Sequence, residues 1–326
     1  MSEQGIRSAR IVPAIPETVG WGLSLAVVAA CISGVAIWLN AFAVKQMPDA
    51  AVYTTLKNGV AAAVLLVLAA PLVRPTDVKQ VNRSGWLGLT VVGVVGGGIA
   101  FLLFFTGLAM ASAPSAAFIQ KTMFVWVAIL AVPFLGERLG LAQLAALVAL
   151  VVGQALVLPP RGIAWGTGET LIVIATLCWA VEVVIVRRVL RTVATPIVAT
   201  GRLSIGLVVL VGYVAITGRI GGILALGPQA WAWILLTGLI LAGYVGAWFG
   251  ALRRAPATVV TSVLVGGAVI TGALQALAKG GPPTVDLVAG YLLIAAAAGL
   301  TALLAVRARP LAGRRATATP SGSIDA

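Results

Sequence analysis

The stretch GLAMASAPSAAFIQKTMFVWVAILAVPFLGERLGLAQLAALVALVVGQALV, residues 107–157, holds two apolar runs and little else. A helix is expected over 114–134 and another over 140–158, each near the ~20 residues that cross a ~30 Å hydrocarbon core. The turn signal SAPS at 112–115 opens the first run, and Gly136-Glu137-Arg138 separates it from the second. Lys121 is the single charge between Pro114 and Pro133, with no acid within one helical turn of it. Two such runs joined by a charged step read as consecutive membrane-spanning helices.

The rest of the chain repeats this pattern. Its 326 residues are 60% hydrophobic and 10% charged, with mean hydropathy +1.09. A soluble domain carries about 25% charged residues, so the outer surface is expected to face lipid. The expected helices are 20–44, 50–73, 86–110, 114–134, 140–158, 165–186, 196–217, 231–252, 257–278 and 284–306. They are cut by QMPD at 46–49, RPTD at 74–77, LPPRG at 158–162, GPQ at 227–229 and GGPP at 280–283. The expected fold is therefore an all-α polytopic membrane protein of about ten transmembrane helices. Residues 1–19 and 307–326 are polar and read as tails.

The net charge is +13, but the basic residues stand singly or in pairs between apolar runs. That scatter excludes a nucleic-acid face and points to membrane orientation. With the N-terminus inside, one side of the membrane holds Arg7, Arg10, Arg74, Lys79, Arg83, Arg138, Arg187, Arg188, Arg191, Arg253, Arg254, Arg307, Arg309, Arg314 and Arg315. The other holds only Lys45, Arg161, Arg219 and Lys279. This bias predicts a multi-pass protein of the cell inner (plasma) membrane with both termini cytoplasmic.

There is no histidine, which removes His-ligated metals, His-based triads and His proton relays. Cys31 and Cys178 fall in apolar runs and read as small buried side chains. VAAC at 28–31 imitates a lipoprotein cleavage signal, but the apolar run continues past it, so the first helix is expected to be retained. No glycine-rich stretch follows a strand or ends in the lysine-serine of a phosphate loop. No cofactor is expected.

The chain also repeats itself. GLAMASAPSAAFI (107–119) is similar to GALRRAPATVV (250–260), and CISGVAIW (31–38) aligns with TLCWAVEV (176–183). The second alignment also pairs Lys57 with Arg202. Two halves of five helices follow, over 20–158 and 165–306. Five is odd, so the halves are inverted with respect to the membrane, and a site is expected near the midplane between them.

With its SAPSAA and Gly136-Glu137-Arg138 steps, the stretch 104–157 resembles the drug/metabolite transporter superfamily, in its ten-helix EamA-type members. The resemblance covers about residues 20–306. It implies two inverted five-helix repeats around a central cavity and alternating-access movement of small metabolites, often export. The second half departs from it, with Ala278-Lys279-Gly280 where a second Gly-Glu-Arg would stand.

Four ionisable residues fall inside expected helices: Lys57, Lys121, Glu182 and Arg202. A charge at the bilayer centre costs at least ~2.5 kcal/mol, so such residues usually face protein or a watery cavity. At 1.5 Å per residue both lysines lie about 10 Å below the outer ends of their helices. Glu182 and Arg202 share the inner third and are expected as a buried structural or gating pair. The lysines have no acid available and are expected to attract an anionic substrate group, Lys121 first and Lys57 second. Snorkelling toward the interface is the other reading. Trp38, Trp126, Trp179, Tyr244 and Trp248 lie inside helices and are candidate substrate contacts or space-fillers. Tyr53, one turn before Lys57, and Gln120 join them. Trp21, Trp86, Trp165, Trp231 and Trp233 lie at helix ends, as interface belts do.

These residues predict a non-enzymatic secondary transporter exporting small organic molecules, with amino-acid-like or other carboxylates favoured. Its partners are the bilayer and a small-molecule substrate, with proton coupling open, and the residues leave the oligomeric state open. A lipophilic cation exporter using Glu182 is the alternative within transport. A lipid-modifying enzyme or a non-transporting scaffold is the alternative outside it.

Overall fold

The computed structural model describes residues 19–157, 164–279 and 284–307. All but the innermost residues of both expected tails, with Arg7, Arg10, Arg161, Arg309, Arg314 and Arg315, lie outside the described residues. Among the described residues every regular element is helical.

The first half begins with α1 (Val19–Ala43) and α2 (Ala50–Ala69), with Asp49 capping α2 through bonds from Ala51 N (2.7 Å) and Val52 N (3.0 Å). A one-turn helix, α3 (Pro75–Lys79), leads to α4 (Arg83–Val91), a π-helical segment (Val92–Ile99) and α5 (Ala100–Met110), stacked as one span. The fourth span is α6 (Ala113–Lys121) and α7 (Met123–Leu135), and the fifth is α8 (Leu141–Val157). The second half holds α9 (Thr167–Val189), α10 (Thr195–Ile216), the short α11 (Gly221–Leu224), α12 (Pro228–Arg254), α13 (Ala257–Leu264), α14 (Gly267–Lys279) and α15 (Val285–Arg307). Nine described spans are long and apolar enough to cross a membrane, and α8, at 17 residues, is a shorter apolar tenth.

The packing obeys the repeat. Pairing α1 with α9, α2 with α10, α4–α5 with α12, α6–α7 with α13–α14, and α8 with α15 maps the contacts onto one another. Thus α1 packs on α12, α13 and α14, while α9 packs on α5, α6 and α7. Likewise α2 packs on α12 as α10 packs on the π-segment, and α2–α10 and α8–α15 are self-paired. Each half therefore buries its apolar faces largely against the other half, and the two cannot be separated without exposing both.

Apolar periodicity predicts the fourth span of each half as one unbroken helix, and the structure breaks both near the middle. Thr122 N–H reaches Ile119 O (3.1 Å) and Val125 N–H reaches Thr122 O (2.9 Å). In the second half Val265 reaches Ser262 (3.2 Å), Gly266 reaches Val263 (3.0 Å) and Ala268 reaches Val265 (2.8 Å). Such i→i+3 bonds tighten the chain into 3₁₀-like turns, a common form of hinge. Lys121 is the last residue before the first break.

The surface carries the lipid-facing pattern. Leu141, Val148, Val208, Leu239 and Leu292 are exposed, and Trp21, Trp86, Trp165 and Trp231 are exposed near span ends, where aromatic belts form. Cys31, read from the sequence as buried, is also exposed. It is on the outward face of α1, which hydropathy alone does not distinguish from the inward one.

Candidate functional site

A central cavity between the halves holds about 780 Å³ of atom-free space, open solvent at its edge included. α1 contributes Ser33, Ile37 and Asn40, positions that share one helical face. α2 contributes Lys57, α5 Phe101, Phe104 and Phe105, α6 Gln120, α9 Trp179 and Glu182, α10 Arg202, and α12 Thr237, Tyr244 and Trp248.

Lys57 is 2% exposed, and no carboxylate among the described residues pairs with it. Its ammonium donates to Asn40 Oδ1 (3.2 Å) and sits 3.4 Å from the Phe105 ring centroid, with the Phe101 and Tyr53 rings each at 5.6 Å. Ring faces attract a cation without neutralising it. Tyr53 lies behind, donating to Asn40 Oδ1 (2.7 Å) with Thr237 Oγ1 2.9 Å away. Asn40 is locked by its own bond to Ala36 O (2.6 Å). Tyr53 thus holds the bracket that holds Lys57.

Glu182 and Arg202 form the expected buried pair, and it is bidentate: Arg202 Nε donates to Glu182 Oε1, and Nη2 donates to Oε2 (3.0 Å). Arg202 Nη2 also donates to Gly96 O (3.1 Å), which accepts Trp179 Nε1 as well (3.0 Å). A Cβ at Gly96 would overlap the Glu182 carboxyl, so any other residue there requires Glu182 to move. One residue on, a Cβ at Gly97 would lie 3.2 Å from Gly206 Cα, and this backbone approach brings α10 against the π-segment. Arg202 Nη1 is buried with no partner, and so is Gln120 Oε1.

The remaining predicted residues divide. Tyr244 and Trp248 stack at 6.0 Å and wall the cavity on the α12 side. Lys121 is also 2% exposed, but it stands behind the wall, donating to Ser33 Oγ (2.7 Å). The two lysines do not share the cavity surface as the sequence suggests. Trp38 packs edge-on against Phe42 and is not among the lining residues. Trp126, expected as a contact, is 39% exposed on the outside of α7. Trp126 is five residues past Lys121, about 140° around a helix from it, so the two face opposite ways. Sequence reasoning missed Asn40, Thr237 and the phenylalanines of FLLFF (101–105). A buried amide in an apolar run was the visible clue to Asn40.

At the arginine-rich end of the bundle, hydrogen bonds of Glu137 and Arg188 cross between the halves, while those of Arg187 and Arg253 stay within the second. Gly136, in the left-handed region (φ 69°), ends α7 and turns Glu137 toward the other half. Glu137 Oε1 accepts from Ala257 N (2.6 Å), and Oε2 accepts from Thr258 N (3.2 Å) and Thr258 Oγ1 (2.6 Å). The charged step of the quoted stretch is thus the N-terminal cap of α13. Arg187 donates to Leu252 O and Arg253 O, Arg253 donates to Leu190 O and Val193 O, and Arg188 donates to Phe134 O. At the opposite end the described residues include an exposed Arg219–Asp49 pair (2.7 Å) and a Gln229–Gln46 bond (3.3 Å).

Crossed five-helix halves around a polar, aromatic-walled cavity define a polytopic membrane transporter. The EamA-like transporter family matches residues 20–158 and again residues 166–303, and the chain belongs to that family. A solved crystal structure superposes with a TM-score of 0.70 at 17% identity, covering 90% of this chain and 100% of the other, which shows a shared fold. No curated protein matches the chain.

Proposed function

We propose that this transporter moves small organic anions, carboxylates foremost, and exports them across the inner membrane by a secondary, alternating-access mechanism. One observation carries the reading: the Lys57 amino group lines the cavity, held by rings and an amide rather than by an acid. A substrate carboxylate supplies the missing counter-charge, and the aromatic walls take its apolar body. Lys121 acts indirectly, by fixing Ser33 in the wall. The hinges in both fourth spans and the ties at the arginine-rich end support rocking of one half against the other. The positive-inside bias supports placing that end in the cytoplasm.

The cation-exporter reading is weaker, because both Glu182 oxygens are occupied by Arg202. Purified protein in proteoliposomes tests the choice by uptake of a labelled monocarboxylate against a labelled organic cation. Wild type is expected to carry the carboxylate, and Lys57→Met to lose at least about tenfold in rate, the weight of one charge-assisted contact. Transport of the cation alone would sink the anion reading.

A further inference from the structure

Arg202 reads from the sequence as half of a structural pair, yet its side chain is left incomplete. A guanidinium has five N–H donors. Nε and Nη2 are engaged by Glu182 and Gly96 O, while Nη1 is buried and has no partner. A buried donor on a charged group is costly to leave unfilled. Arg202 lines the cavity.

Its position in the repeat gives a second, independent reason. Lys57 is seven residues past the start of α2, and Arg202 is seven past the start of α10. The two cations are therefore repeat mates, one from each half. They also share a wall: Lys57 Nζ lies 5.6 Å and Arg202 Cζ 5.0 Å from the Phe101 centroid. They can be no farther apart than those two distances together, so an anionic group beside Phe101 lies in the field of both.

We infer that Arg202 is a substrate-binding residue. Its Nη1 takes the anionic group that Lys57 faces from the other half, and Glu182 sets how strongly it does so. Glu182 neutralises Arg202 in the empty cavity and fixes the guanidinium plane, so Arg202 offers a directed donor and Lys57 offers the net charge. This inference rests on the anion reading above and assigns the second contact within it.

The test uses the full chain, purified, with phenylacetate, its amide phenylacetamide and phenethylamine as probes. These share an aromatic body and differ in charge. The readout is the probe concentration giving half-maximal thermal stabilisation. Wild type is expected to respond to phenylacetate and not to the other two. Glu182→Gln removes the competing carboxylate and is expected to tighten phenylacetate binding by about tenfold or more, as gaining an unopposed charge-assisted contact should. Arg202→Lys, which loses the planar fork, is expected to weaken it by a similar factor. The double variant Glu182→Gln/Arg202→Gln removes both buried charges together, so it leaves no lone charge to prevent folding, and it too is expected to bind weakly. Trp126→Phe, on the outer surface, serves as the unchanged control. If Lys57→Met loses binding while the double variant binds like wild type, Arg202 is structural and this inference falls with the anion reading intact. If wild type responds to phenethylamine alone, or to none of the three at millimolar concentration, both fall.

Discussion

Gly96 shows how one residue sets the chemistry of the cavity. Its missing side chain makes room for the Glu182 carboxyl, and its carbonyl receives both Trp179 and Arg202. Gly96→Ala is expected to destabilise the protein by about 1–3 kcal/mol, the usual cost of overpacking a filled interior, and to weaken binding by turning the guanidinium. Thermal denaturation checks the first effect, and an unchanged melting temperature would show that Glu182 yields without strain. At this scale the sequence was partly legible. Glu182 and Arg202 are conspicuous in apolar runs, and their pairing followed from similar depth on consecutive helices. Lys121 and Lys57 share a similar depth, and the sequence ranks Lys121 first, because depth along a helix says nothing of the direction a side chain takes around it.

At the scale of elements, the decisive contact is the Glu137 carboxylate on the first turn of α13. Three hydrogen bonds meet the N-terminal N–H groups and hydroxyl of a helix in the other half, where a negative charge also suits the helix dipole. Glu137→Ala is expected to cost about 1–2 kcal/mol of stability, as loss of an N-cap does, with Glu137→Gln intermediate because an amide oxygen accepts in place of one carboxylate oxygen only. Chemical denaturation of the three proteins in detergent reads this directly, and equal midpoints would remove Glu137 from the cap. The charged step was visible in the sequence as a helix boundary. Its partner, 120 residues away, was not, because capping is local in space and remote along the chain. The two mid-span breaks escaped for the opposite reason: they sit inside uniformly apolar runs, where hydropathy does not register a change from α to 3₁₀-like bonding.

Over the whole molecule, the crossed packing of the halves makes the arginine-rich end a natural gate. If transport requires α7 and α13 to part there, joining them should stop it. Cysteines introduced at 137 and 258, in a background with Cys31 and Cys178 replaced by serine, are expected to arrest transport on addition of a short cleavable thiol crosslinker and to recover on cleavage. Undiminished transport after complete crosslinking would place the moving parts elsewhere. What the sequence alone determined is whatever depends on local composition and spacing: apolar spans of crossing length, their grouping into two repeats, the family, and the presence of charges too costly to face lipid. What only the tertiary structure decided is which side of each helix looks inward. That choice puts Lys57 in the cavity, Lys121 behind its wall and Trp126 on the outside, and it leaves one nitrogen of Arg202 unfilled. In helices that are apolar all round, the direction each one faces is set by how the two halves fit together, and no run of neighbouring residues contains that information.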